Sequence, residues 1–301
     1  MTLEQLLKNL QSPTGPVDVV MDTDAGAEID DQFAIAYLLK SEGLRTLALY
    51  AAPFFNNNST SPEDGMERSY DEIGKLLALM GKECPTYRGS RTYLPDEMTP
   101  VESPAARDLV ERAMKYSPEK PLYVVAIGAI TNVASALLIN PAIAENIVIV
   151  WLGGHAHHFH DTTEFNMVQD IAAARVVFNS GAPFIQLPCA GVVSAFTVSK
   201  QELEYYLMDK NPLADYLARN TIAEAEKYAA GRNWTRVIWD VTAVAWLKNR
   251  GDRFLLSRLV PTPLPTYERQ YEQRGDAAPM RYVYYVHRDT LMNDLFATIL
   301  R

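Results

Sequence analysis

Short apolar runs alternate with amphipathic segments through most of this chain, and that alternation restricts the folds open to it more than any other feature. Val17–Asp22 (VDVVMD) reads as a strand, and Gln32–Lys40 as a helix with Phe33, Ala36, Tyr37 and Leu39 or Lys40 about a turn apart. Leu44–Ala51 is the next strand. Pro53–Gly65, with three consecutive asparagines, is a polar loop, and Glu67–Met80 is a helix stopped by Gly81. A helix over Pro104–Tyr116 precedes a strand over Leu122–Ile127. Thr131 is placed to cap a helix through Leu138 that Asn140-Pro141 ends, and Ile147–Leu152 is a strand closed by Gly153-Gly154. Ile171–Asn179 is helical and Phe184–Leu187 extended. From about Lys200 to Asn249 the pattern is mostly helical, with a late strand at Met280–Val286 and a closing helix at Thr290–Leu300. Strands alternating with helices imply right-handed βαβ units on a parallel sheet. The expected fold is α/β: one domain over residues 1–301, an open, mostly parallel sheet flanked by helices, and a helical C-terminal portion.

Composition narrows the functional classes. Hydrophobic residues make up 48% of the 301 residues, which excludes a disordered chain. Lys and Arg number 28 against 37 Asp and Glu, and no basic run occurs, which argues against nucleic acid as a partner. No stretch approaches the ~18 apolar residues of a membrane span, and MTLEQLLKNLQSPTGP lacks the basic and apolar regions of a signal peptide. Two cysteines, Cys84 and Cys189, make no disulfide framework. The expected setting is the cytoplasm, and the expected partner a small molecule.

In open α/β sheets, ligands bind outside the carboxyl ends of the strands. Met21–Gln32 (MDTDAGAEIDDQ) occupies that place after the first strand and carries Asp22, Asp24, Glu28, Asp30 and Asp31. Carboxylates this dense repel one another unless a cation or water holds them, and a hard cation such as Ca²⁺ or Mg²⁺ is the natural partner. A solvated acidic loop is the alternative. Four histidines, His155, His157, His158 and His160, crowd one loop. They admit three readings: a transition-metal site, a base or ribose contact by one of them, taken as His158, or a His-rich surface loop. Cys84 reads as a buried apolar residue, and Cys189 has no base beside it in sequence that would make it a nucleophile.

Four segments together carry a resemblance. Asp22-Thr23-Asp24 with Asp30-Asp31 after the first strand resembles the signature of the nucleoside hydrolases of the inosine–uridine-preferring type. Ile127-Gly128-Ala129-Ile130-Thr131-Asn132 is similar to that family's Thr-Gly-x-Leu-Thr-Asn turn, and Glu164-Phe165-Asn166 matches its Glu-Phe-Asn segment. Trp239-Asp240 falls where the family has an x-Asp pair opening a helix. The resemblance runs from about Val17 to Trp246 and more faintly beyond, and it implies a Rossmann-like nucleoside hydrolase fold. It also implies a Ca²⁺ held by Asp24, Asp31, the Ile127 carbonyl and Asp240, with Asp24 as general base toward a metal-bound water. Asp30, Glu164 and Asn166 would grip the ribose, helped by an Asn from the loop after the second strand, Asn56 or its neighbour Asn57. The implied reaction is hydrolysis of the N-glycosidic bond of a ribonucleoside by a homodimer or homotetramer.

Two departures from the family pattern bear on this. Five residues, Ala25–Ile29, separate Asp24 from Asp30, two more than the family's spacing. They bulge outward and spare the site, displace Asp30 and Asp31, or bring in Glu28 as an added ligand. Trp239 stands where many members have a His that protonates the leaving base. It stacks on a purine or simply fills apolar space. Two further functions compete: a non-catalytic sugar-binding relative, and a haloacid-dehalogenase-like phosphatase with Asp22 as nucleophile and Asp24 as acid/base.

Overall fold

The computed structural model describes residues 1–301. Along the first strand, Val19 and Met21 face one helical layer and Val20 and Asp22 the other, so both faces are covered and the strand reads as a continuous apolar run. The strands are β1 (Val17–Thr23), β2 (Leu44–Ala51), β3 (Thr86–Arg88), β4 (Leu122–Ala126), β5 (Ile147–Leu152), β6 (Phe184–Leu187), β7 (Thr197–Ser199), β8 (Thr235–Val237), β9 (Leu255–Pro261), β10 (Leu264–Pro265), β11 (Tyr271–Glu272) and β12 (Pro279–Val286). Eight of them form one sheet in the order β3-β2-β1-β4-β5-β6-β12-β9. Every neighbouring pair in it is parallel except β12 with β9. The chain winds outward from β1 in one direction to β3 and in the other from β4, so a topological switch point lies between β1 and β4. Their carboxyl ends form the crevice where such sheets bind ligands.

Helices α1 (Leu3–Asn9), α2 (Asp31–Lys40), α3 (Pro62–Met80), α4 (Pro104–Ala113), α5 (Thr131–Ile139), α6 (Phe165–Gln169), α7 (Ile171–Asn179), α8 (Lys200–Tyr206), α9 (Pro212–Ala229), α10 (Val241–Leu247) and α11 (Arg288–Leu300) cover the sheet. One face packs against α2, α3 and α8 to α11, the other against α4, α5 and α7. No helix is long and apolar enough to cross a membrane.

β1, β2, β4, β5, β6 and β12 fall where the alternating pattern puts strands. α3 begins at Pro62 rather than Glu67, because the Ser61 side chain accepts from the Asp64 amide and Pro62 fits the first helical turn. Residues 200–249 are mostly helical as the pattern reads, with β8 interposed and paired to β7 just before them. β9 carries no such signal. It is an edge strand, half exposed, and its sequence LLSRLVP does not alternate.

Candidate active site

β1 ends at Thr23, and the chain passes through Asp24 and the loop Ala25–Ile29 before Asp31 opens α2. On the far side of the crevice Asp240 stands at the start of α10. Neither helix start carries a side-chain cap, and the helix dipole at each favours negative charge. Carboxylate oxygens of Asp30, Asp31 and Asp240 lie within 4.8 Å of one another, and all three residues are buried. Thr23 Oγ1 donates to Asp31. Asp24 faces the same cavity from outside this triad, packed against Gly128. A Cβ added to Gly128 would lie 2.8 Å from Asp24 Oδ1, so the close approach requires glycine.

Burial dominates the electrostatics. It raises the Asp24, Asp30 and Asp240 carboxyls well above the usual carboxylate range, reinforced by repulsion from neighbouring carboxylates, Glu28 foremost at Asp30, where a hydrogen bond with Asp240 pulls the other way. Burial also pushes Asp31 up to about 7, against the stabilising Thr23 hydroxyl. Buried oxygen donors that converge without a Lys or Arg ion-paired to any of these four aspartates suit a hard metal cation. The Ile127 carbonyl opens on the same cavity and accepts from Asn166 Nδ2 at 3.0 Å.

The cavity measures about 200 Å³. Its side wall is built by Glu164 and Asn166. The Glu164 carboxylate accepts from the amides of Gly154 (2.7 Å), Asn166 (2.9 Å) and Met167 (2.9 Å), which fixes its direction. Asn166 Nδ2 also donates to the Leu152 carbonyl at 3.0 Å, leaving Oδ1 without a protein partner. Trp239 is half-buried: it packs against the core and also lines the cavity beside Asp240.

Residues 19–276 match the family model of the inosine-uridine preferring nucleoside hydrolases. The chain belongs to this family. Membership places it among hydrolases that act on N-glycosyl compounds. It is 27% identical over 222 residues to probable uridine nucleosidase 2 of Arabidopsis thaliana, covering 67% of each chain. It is 26% identical over 264 residues to the non-specific ribonucleoside hydrolase RihC of Salmonella typhi, covering 78% of this chain and 79% of the relative. The fold is similar to that of a plant nucleoside hydrolase, PpNRh1, with a TM-score of 0.76 at 19% identity over 95% of this chain and 99% of that one.

Around this hydrolase cavity, several residues singled out from sequence do other work. Asn56 does not line it: Nδ2 donates to the Ala27 carbonyl and Oδ1 accepts from the Asn58 amide, so its amide is spent on shaping the loop. Asn57 lies in a neighbouring cavity. His158 is exposed and packs at a tilt beside Phe159, whereas His155 lines the crevice and accepts the Ala190 amide on Nδ1. His157 turns inward to Gln186, and His160 stays at the surface near Asp161. The four imidazoles thus diverge and form no metal site: His155 meets the Ala190 amide, His157 meets Gln186, and His158 and His160 stay exposed around a turn that the Phe159 amide closes onto the Ala156 carbonyl. Asp22 is fully buried and accepts from Asn132 Nδ2 at 2.7 Å, with burial raising it to about 7, so it is not presented as a phosphatase nucleophile. Cys189 lines the cavity, but burial and the Glu164 charge push its thiol well up, which keeps it protonated and inert. Sequence reading did not single out Thr163 or Phe165 as wall residues; adjacency to Glu164 was the available signal.

Proposed function

We propose that this hydrolase cleaves the N-glycosidic bond of ribonucleosides, purine nucleosides foremost, with Ca²⁺ in its carboxylate cluster. The observation that carries the reading is the approach of Asp30, Asp31 and Asp240 to within 4.8 Å at the wall of a cavity that Asp24, Glu164 and Asn166 also line. Asp24, Asp31, Asp240 and the Ile127 carbonyl would hold the ion, and Asp30 stands close enough to add a further oxygen. When bound, such a cation positions a water and lowers its pKa. Asp24, at the cavity wall, accepts the proton as general base. Asp30, Glu164 and Asn166 grip the ribose hydroxyls. Glu164 is pre-aimed by three backbone amides, so little reorganisation is needed as positive charge develops on the ribosyl ring. Trp239 offers an indole beside Asp240, where a purine leaving from the anomeric carbon can stack.

The test is incubation with inosine, adenosine, uridine and para-nitrophenyl phosphate, with and without a chelator. Ribose release from inosine and adenosine that stops on chelation and returns with Ca²⁺ is expected. In Asp24→Ala, release should fall by a factor on the order of 10²–10⁴ with the fold retained. Phosphate release, or ribose binding without cleavage, would overturn the reading. We further infer a cytoplasmic homodimer or homotetramer. Both cysteines are free, and Leu259 and Tyr284 are exposed on adjoining strands at the sheet's β9 edge. Light scattering on the purified chain checks the assembly.

A further inference from the structure

We propose that the Glu28–Arg236 ion pair is a bracket that positions the two halves of the metal centre against each other, an inference that rests on the proposed function. Glu28 lies two residues before Asp30, in the loop that is longer than the family's spacing. Arg236, in β8, lies four residues before Asp240. Arg236 Nη2 donates to Glu28 Oε2 at 2.8 Å, and its Nη1 donates to Tyr228 Oη at 2.8 Å near the end of α9. One guanidinium therefore ties the loop carrying Asp30 and Asp31 to α9 and to the segment that delivers Asp240.

The rest of the loop is pinned from beneath, so the bracket closes a nearly fixed frame. The Ala27 amide donates to the Asp24 carbonyl at 2.7 Å, making a tight turn. Gln32 Nε2 donates to the Ala25 and Glu28 carbonyls at 2.8 and 3.2 Å, and Asn56 and Asn58 both donate to the Ala27 carbonyl. Beyond β8, Ile238 is buried and its amide donates to the Phe196 carbonyl at 3.1 Å, which holds the approach to Asp240. Alongside the apolar packing of α2 on α10, the Glu28–Arg236 pair is the polar side-chain link between these two segments outside the carboxylates themselves. The extra loop length thus carries Glu28 outward to Arg236, and Asp30 and Asp31 stay beside Asp240.

A partial enclosure favours such a role. The Arg236 side chain is 23% exposed against 47% for Glu28, the Arg236 Nε is buried without a partner, and Glu28 forms part of the wall between the nucleoside cavity and a second cavity of about 630 Å³. Outer residues that orient metal ligands commonly change metal affinity by about 10–100-fold when removed.

The experiment is calorimetric titration of Ca²⁺ into the chelator-stripped full chain. Its power comes from opposing signs. Removing the Arg236 cation leaves the centre more negative, so electrostatics alone tightens Ca²⁺ binding. Loss of the bracket weakens it. Arg236→Met should bind Ca²⁺ about 10–100-fold more weakly, and the exchanged pair Glu28→Arg with Arg236→Glu should recover most of that loss. Amide hydrogen exchange over residues 25–29 should speed up in Arg236→Met and slow again in the exchanged pair. Arg236→Met binding as tightly as the parent, or more tightly, overturns the bracket. If Arg236→Met does not fold by circular dichroism, Arg236→Gln carries the same comparison with the same expected sign. A parent chain that takes up no Ca²⁺ overturns the proposed metal-dependent function and the bracket with it. A parent that binds while the Arg236 variants match it overturns the bracket alone.

Discussion

His157 should make the protein acid-sensitive in a pH range where its surface carboxylates contribute little. Gln186 Nε2 donates to the Gly153 carbonyl at 2.9 Å and to Tyr271 Oη at 2.8 Å, so its Oε1 faces His157 Nε2 at 2.8 Å as an acceptor. The imidazole is therefore a neutral Nε2–H donor, with ring centroids 4.7 Å from Tyr271 and 4.3 Å from Tyr282. Burial lowers its pKa from 6.5 to about 4; the Gln186 acceptor opposes the shift, while Arg258 and His158 add to it. Below pH 6.5 the unfolded chain takes up a proton that the folded one does not until about pH 4. Stability is thus complete above the unfolded pKa and is lost as pH falls through that window. Between pH ~7.5 and ~5 the loss through this one residue is at most about 2 kcal/mol. His157→Gln keeps a donor for Gln186, cannot titrate, and gives up two ring contacts at about 0.5–1.5 kcal/mol each. Urea unfolding of both proteins near each pH is the assay, since carboxylates common to both cancel in the difference. The variant should be clearly less stable at the higher pH, and the gap should shrink by up to about 2 kcal/mol at the lower. A gap that does not change with pH would refute the reasoning.

Gly128→Ala should place a methyl 2.8 Å from Asp24 Oδ1 and move that carboxylate. Nucleoside turnover should drop by about 100-fold with a stability cost of about 1–3 kcal/mol, read by steady-state kinetics and urea unfolding. Undiminished turnover would mean that Asp24 is not the base. Trp239→Ala should slow purine nucleoside hydrolysis by the equivalent of about 1–3 kcal/mol and spare para-nitrophenyl riboside, whose leaving group needs no proton; equal losses on the two substrates would make the indole structural.

Both the sheet and the acidic character of its crevice were legible in the chain because each rests on local pattern. A run such as Val17–Asp22 followed by a helical period can bury two faces only in a βα unit. Five carboxylates in ten residues at the end of that strand mark either a cation site or a solvated acidic loop, and burial beside Asp240 separates the two. What the sequence could not decide is direction. Asn56 and His158 each sit in a loop whose side chains are aimed by distant partners: the Ala27 carbonyl claims Asn56, and the Ala190 amide holds His155, rather than His158, at the cavity. The meeting of Asp30 and Asp31 with Asp240, and of Glu28 with Arg236, joins segments about two hundred residues apart, and no helical or strand period spans that separation. β9 stayed hidden for a related reason. As a half-exposed edge strand it takes its structure from the β12 backbone, while its own side chains, facing partly to water, leave no alternating record.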